Sequence, residues 1–112
     1  MNKKLGKIVK AEFGHCGYQN MFVGLKLEFG FDTCSFITAD IKGGWYVGNT
    51  WTESCNWTIE GNELSHAAMV EDVSKTLFEA KVEYVSQLVG KPVELTLEKN
   101  QLIDWRILTE VL

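Results

Sequence analysis

The chain has 112 residues, of which 46% are hydrophobic and 23% are charged, as in a folded globular protein rather than a disordered one. Its formal net charge is −4, from 15 acidic and 11 basic residues, and Arg106 is the only arginine. Proteins that grip nucleic acid backbones usually carry a basic face with several arginines, so the composition argues against a nucleic acid partner. The length predicts one domain that covers residues 1–112.

The sequence also argues against a membrane or secreted protein. No stretch approaches the roughly 18 consecutive apolar residues of a membrane span. Lys10 and Glu12 interrupt what would be the apolar region of a signal peptide. The three cysteines, Cys16, Cys34 and Cys55, show no paired spacing and are interpreted as free thiols. We therefore expect a protein of a reducing cytoplasm.

Three strands are predicted at residues 4–13, 21–31 and 33–42, where apolar side chains alternate with polar ones. Their short connections favour an antiparallel meander. The first strand is expected to carry Val9, Ala11 and Phe13 on its apolar side. Gly14 to Gly17 is interpreted as a turn. On the other face of the sheet, Phe22 and Phe36 predict an uncovered apolar surface and therefore a homo-oligomer.

The segment 43–57 has no clear periodicity and is predicted to be a loop, or a short strand followed by a loop. It holds an aromatic cluster among glycines and small polar residues: Trp45, Tyr46, Trp51 and Trp57. Tryptophan and tyrosine are enriched in binding hot spots, and they also stack on nucleobases. The cluster is therefore either a binding surface or a plug for the open end of the sheet.

A helix is predicted after this segment, with Thr58 or Asn62 as its N-cap. The apolar stripe of this helix recurs at spacings of three and four: Val70, Val73, Leu77, Ala80 and Tyr84. A further helical turn over residues 86–90 is expected to stop at Gly90, since Pro92 prevents continuation.

The chain closes with a predicted hairpin. A three-residue loop, 99–101, pairs Val93 with Ile107, Leu95 with Trp105 and Leu97 with Ile103, which keeps the apolar side chains on one face. The same register places Glu94 opposite Arg106 as an ion pair. The pattern does not decide whether this hairpin extends the first sheet. The predicted fold is α+β, an antiparallel β-β-β-α-β-β sheet packed on one long helix.

Candidate chemistry in the sequence is sparse. The scattered residues His15, Cys16, Cys34, Cys55 and His66 lack the short pairs typical of zinc sites. Cys55 is the best placed nucleophile because it precedes the predicted helix start, yet no orienting residue or oxyanion motif accompanies it. An enzyme that uses Cys55 or His66 is therefore a weaker hypothesis than the two non-enzymatic functions considered below. We expect neither a metal nor a cofactor.

The basic residues have two possible roles. Arg106 could clamp a phosphate or carboxylate with its planar fork, but the pair with Glu94 is the favoured interpretation. Four lysines near the N-terminus are interpreted as protection of a sheet edge rather than as a ligand site: Lys3, Lys4, Lys7 and Lys10.

Several stretches resemble small proteins encoded by tailed phages and prophages. They are residues 7–14 (KIVKAEFG), Gly17-Tyr18, the segment from Ala80 to Val93, and the ending from Trp105 to Leu112 (WRILTEVL). The similarity departs from the pattern between Phe31 and Trp57. It implies phage origin and expression inside a bacterial cell, so the expected location is the host cytoplasm, and it assigns no catalytic residue.

Two non-enzymatic hypotheses follow, because small phage accessory proteins without catalytic motifs are often inhibitors of host systems. The first is a counter-defence protein that binds and sequesters a nucleotide-derived immune signal, a sponge, through Trp45, Tyr46, Trp51, Trp57 and Arg106. The alternative is a protein-binding inhibitor or adaptor that acts on a host or phage protein. The expected partner is thus a small nucleotide-like ligand or a host protein.

Overall fold

The computed structural model describes residues 2–16, 22–45 and 59–112. Within these ranges the chain forms an α+β fold in the order β-β-β-α-β-β. Its elements are β1 (Asn2–Cys16), β2 (Phe22–Phe31), β3 (Ser35–Trp45), α1 (Ile59–Glu79), β4 (Pro92–Glu98) and β5 (Gln101–Ile107), with short 3-10 turns at Val85–Leu88 and Thr109–Val111. The predicted α+β class and element order are confirmed.

All five strands form one antiparallel sheet in the order β3-β2-β1-β4-β5, so the terminal hairpin extends the first meander. The central strand β1 pairs with β4 through residues 2–7 and with β2 through residues 6–16. The sheet curls strongly, because the rings of Phe29 on β2 and Trp105 on β5 lie only 5.0 Å apart between centroids. This curl gives the sheet a concave face and a convex face.

The hydrophobic core lies on the concave face. Fully buried side chains come from β1, β2 and β4: Ile8, Leu25, Leu27, Phe29, Val93 and Leu95. Helix α1 contributes Val73 and Leu77 to the same cluster, Ala80 follows directly after its last residue, and the closest strand to α1 is β3. Gly43 on β3 allows this approach, since a Cβ atom there would collide with the side chain of Met69.

The first strand differs from its prediction because of a β-bulge. The register between β1 and β2 shifts between Ile8 and Lys10, so Val9 is the extra residue. Ile8 is fully buried opposite Phe29, whereas Val9 is 38% exposed. The prediction that Val9 shares the apolar face of Ala11 was therefore wrong. The strand also continues through Cys16, where a turn was expected.

The terminal hairpin has the predicted pairs of Val93 with Ile107 and Leu95 with Trp105, but a different turn. The loop has two residues, Lys99 and Asn100, and both have positive φ (51° and 64°), as in the tight turns that match strand twist. A bulge on β5 restores the register: Leu97 pairs with Leu102, and Ile103 is the extra residue. The predicted three-residue loop and the Leu97–Ile103 pair were wrong.

Helix α1 ends at Glu79, earlier than the predicted stripe. The backbone N–H of Val82 donates to Leu77 O, and that of Lys81 donates to Phe78 O. These are the two hydrogen bonds of a Schellman motif, and Lys81 has the positive φ (58°) that the motif requires. Tyr84 consequently lies outside the helix and is 65% exposed. Val70 is also exposed, and Met69 and Thr76 take buried positions instead. The expected turn at Gly90 is present, with φ 93°.

The four lysines near the N-terminus lie on the central strand, so their predicted role in protecting a sheet edge was wrong. Three of them form ion pairs between 3.4 and 3.7 Å long: Lys3 with Glu94, Lys4 with Asp32 and Lys10 with Glu12. Among the described residues, no helix is long and apolar enough to cross a membrane.

Candidate functional site

The aromatic cluster of the sequence falls mostly outside the described residues. Tyr46, Trp51 and Trp57 lie in the range 46–58, as does Cys55. Trp45 is the last residue of β3, paired with Phe22 of β2. Its role as a ligand residue stays a prediction.

Arg106 on β5 is held by two carboxylates on the convex face. Its Nε donates to Glu94 Oε1 at 3.2 Å, and its two terminal nitrogens donate to the two oxygens of Glu110, each at 3.0 Å. The pair with Glu94 was predicted from the hairpin register. Glu110 was missed, although a spacing of four residues from Arg106 was the available signal. A ligand phosphate at Arg106 would have to displace this bidentate pair.

The hydrogen bonds from Arg106 lower the pKa of Glu110 below its ordinary value and raise the pKa of Arg106. A carboxyl group with a lowered pKa in the folded state stabilises the fold at pH values above its unfolded pKa. That contribution disappears as the pH falls through the folded pKa.

We therefore expect the side-chain carboxyl of Glu110 to titrate below the ordinary pKa of a glutamate in a carboxyl-detected NMR titration. Arg106→Gln removes the donors, so the pKa of Glu110 should rise towards its ordinary value in that variant. Lys75→Gln, on helix α1, is the matched control and should leave it unchanged. An identical Glu110 titration in wild type and Arg106→Gln would contradict the assigned cause.

A side groove of about 320 Å³ lies between α1 and β5 beside this ion-pair cluster. The charges that line this groove sum to zero, because two carboxylates, Asp72 and Glu79, accompany two cations, Lys75 and Arg106. The hydroxyl of Thr76 donates to the backbone oxygen of Asp72 at 2.9 Å and is therefore engaged within the helix. No excess of positive charge favours an anion in this groove.

A larger cavity, the end cleft, opens where the sheet curls at the start of β3. It has a volume of about 500 Å³, and its lining combines apolar with polar side chains from four strands and two turns: Asn2, Lys4, Phe31, Asp32, Ser35, Phe36, Ile37, Leu97, Lys99 and Asn100. Ser35 and Trp45 are the two ends of β3, so this cleft lies at the opposite end of that strand from Trp45.

The local sequence explains why polar groups reach the concave side here. Asn2 and Lys4 are in register with the buried Leu97 and Leu95, so they lie on the apolar face of β1 at its exposed end. The left-handed turn residues Lys99 and Asn100 form the opposite rim. Polar side chains at inward positions of β1 were the signal that sequence reasoning missed.

The cationic groups exceed the anionic ones in the end cleft. Lys4 Nζ lies 3.6 Å from Asp32 Oδ2, and both side chains are about half exposed (42% and 53%). Lys99 is a second cation on the facing rim. An anion entering the cleft therefore meets two ammonium groups and one carboxylate. Because the ion pair between Lys4 and Asp32 is accessible to water, it is weak, and Lys4 can exchange Asp32 for the anion.

Two of the cysteines considered for metal binding or catalysis lie within the described residues. Cys16 is buried at the end of β1, and Cys34 is exposed in the β2–β3 turn. Within residues 2–16, 22–45 and 59–112, no group of three or more His, Cys, Asp and Glu side chains is placed to hold a metal ion.

Comparisons of the chain with protein-family models, with curated proteins and with solved structures find no match.

Proposed function

We propose that this protein is a non-enzymatic binding protein that captures a small anionic ligand with an aromatic ring, of the nucleotide class, in the end cleft. The observation that carries the proposal is the cleft itself. Its volume of about 500 Å³ lies within the usual range of ligand pockets, and its lining combines apolar side chains with several polar groups.

Each part of such a ligand has a matching group in the cleft. Phe31 offers a ring face or edge for an aromatic base, beside the apolar Ile37 and Leu97. The amides of Asn2 and Asn100 both donate and accept hydrogen bonds, as the edge of a base requires. Lys4 and Lys99 supply charge-assisted hydrogen bonds to a phosphate, with Lys4 exchanging Asp32 for the ligand.

In a bacterial cell infected by a phage, this binding would sequester a nucleotide-derived immune signal. Sequestration requires affinity and protein abundance but no chemical step. The phage setting comes from the sequence resemblance, and the ligand class comes from the chemistry of the cleft.

Calorimetry and thermal shift against cyclic, linear and ADP-ribose-type nucleotides test the proposal, with unphosphorylated adenosine as the uncharged control. A ligand that binds only the folded state at 100 times its Kd should stabilise it by about 2.7 kcal/mol. Lys4→Gln and Lys99→Gln should each weaken phosphate ligands about tenfold or more, by the loss of one charged hydrogen bond. Lys75→Gln, in the side groove, should bind like wild type. Failure of every nucleotide to bind the folded protein would overturn the proposal.

The second candidate is a protein-binding inhibitor or adaptor. It is favoured by large apolar side chains on the outer side of α1, where Leu64 is 66% and Phe78 is 82% exposed. Aromatic and aliphatic side chains of this kind anchor protein interfaces. Recovery of a stoichiometric protein partner that the Leu64→Ser/Phe78→Ser variant loses, with no nucleotide bound, separates this candidate from ligand capture.

A further inference from the structure

An apolar island lies on the convex face of the sheet, away from the helix. Leu5 is 71%, Val9 is 38% and Phe36 is 62% exposed. The neighbouring part of this face is polar, because Lys26 of β2 lies between Glu12 and Asp40 on the adjacent strands. The apolar side chains are therefore confined to one part of the convex face.

A notch separates two of these side chains. Gly30 lies between them, and a Cβ atom added to Gly30 would be 3.0 Å from Val9 Cγ1 and 3.6 Å from Phe36 Cε1. The absent side chain leaves a depression of about 200 Å³ with the exposed Phe36 ring beside it. The bulge at Val9 contributes to this shape, because the extra residue brings Val9 to the wall of the notch.

We propose that two copies of this chain associate through their convex faces about a two-fold axis, with the Phe36 ring of each copy in the Gly30 notch of the other. In a two-fold interface the same patch must supply both the projection and the recess. The island does so within a few ångströms, since Phe36 and Gly30 are neighbours on adjacent strands. A partner of another kind would need only a projection or only a recess on this chain.

The charges around the notch are also self-complementary. Lys7 and Asp32 both line it. In the proposed dimer the two-fold axis runs between Lys7 and Asp32, so that Lys7 of one copy faces Asp32 of the other, which also pairs with Lys4 of its own chain. Such an attraction at the rim affects the register of the two copies more than their affinity. The same rim adjoins the end cleft, which shares Phe31, Asp32, Ser35 and Phe36 with the notch.

Sedimentation equilibrium without any nucleotide, from nanomolar to high micromolar protein, tests this assembly independently of ligand capture. The monomer mass is 12.7 kDa, and the wild type should shift to twice that mass as its concentration rises. Phe36→Ser should weaken the dimer at least about tenfold through loss of an aromatic anchor. Phe13→Ser, which changes a 53% exposed phenylalanine beside α1 instead, should leave the dimer unchanged.

Circular dichroism of each variant establishes that it is folded, and Val9→Ser serves as a second variant of the notch wall. A wild type that stays monomeric at the highest concentration would overturn the proposal. So would an equal weakening by Phe13→Ser and Phe36→Ser. Loss of the dimer in Phe36→Ser and Val9→Ser, with retention in Phe13→Ser, would support it.

Discussion

Replacement of Phe29 by alanine is expected to lower the free energy of unfolding by about 3–5 kcal/mol. Phe29 is fully buried in the middle of β2, where it lies opposite Ile8 on β1 and Ile37 on β3. Its ring also meets Trp105 from the far edge of the sheet, with an interplanar angle of 47°. The substitution therefore opens a cavity at the point where the curl of the sheet brings side chains of β2 and β5 together. Urea denaturation measures the effect.

The matched control is Phe78→Ala, which removes the same atoms from an 82% exposed position on α1. We expect a change within about 0.5 kcal/mol there, since surface substitutions away from packed features are usually small. Equal destabilisation by the two variants would contradict the position of the core. A large change in the denaturant slope of Phe29→Ala alone would show that the variant no longer unfolds in two states.

The second large effect is expected from Gly6→Ala in the central strand. A Cβ atom at Gly6 would collide with the backbone oxygen of Gly30 and lie 3.2 Å from Phe31 Cβ. Backbone atoms of a paired strand cannot rotate away as a side chain can, so β1 and β2 must separate locally. We expect a loss of about 1–3 kcal/mol in the free energy of unfolding, the range of overpacked sites.

Gly14 on the same strand offers the control, because a Cβ atom there meets nothing within 4 Å. Gly14→Ala should leave the free energy of unfolding unchanged or raise it by up to about 1 kcal/mol, since alanine restricts the unfolded chain. Thermal unfolding of the two variants side by side measures both. A neutral Gly6→Ala would mean that the two strands are farther apart than described.

Alternation in the sequence predicted the strands because each has one buried face. It was most reliable on β2, where Leu25, Leu27 and Phe29 keep strict period two and are all fully buried. It failed at the bulges of β1 and β5, since one additional residue in a strand reverses the faces without leaving a mark in composition. Val9 and Ile103 are those residues.

In the hairpin, two strand pairs were predicted correctly although the turn that connects the strands was predicted wrongly. Facing apolar residues fixed Leu95 opposite Trp105, and a three-residue loop is the simplest way to connect them. The chain instead combines a two-residue turn with the bulge at Ile103, which spans the same offset. Only the positive φ values of Lys99 and Asn100 distinguish the two solutions, and neither residue is a glycine that would have indicated them.

The candidate site was harder to predict than the fold. Tryptophan and arginine are common in binding sites and are therefore easily chosen as candidates from a sequence. The end cleft is instead lined by common residue types that come together only because the sheet curls. Asn2 and Asn100 are far apart in sequence, and both line the cleft. The pair of Arg106 with Glu94 was predictable because it depends on one hairpin register alone.

The pairing of β1 with β4 has a consequence for the order in which the protein can form. Residues 2–7 take their partners from residues 92–97, so one side of the central strand has no partner until the ribosome has released β4. The β1–β2–β3 meander contains only local connections and can form first. During synthesis that meander exposes a strand edge, the kind of surface on which nascent chains aggregate. Pairing of β4 with β1 therefore completes the sheet and, in the same step, covers the strand edge on which the nascent chain could aggregate.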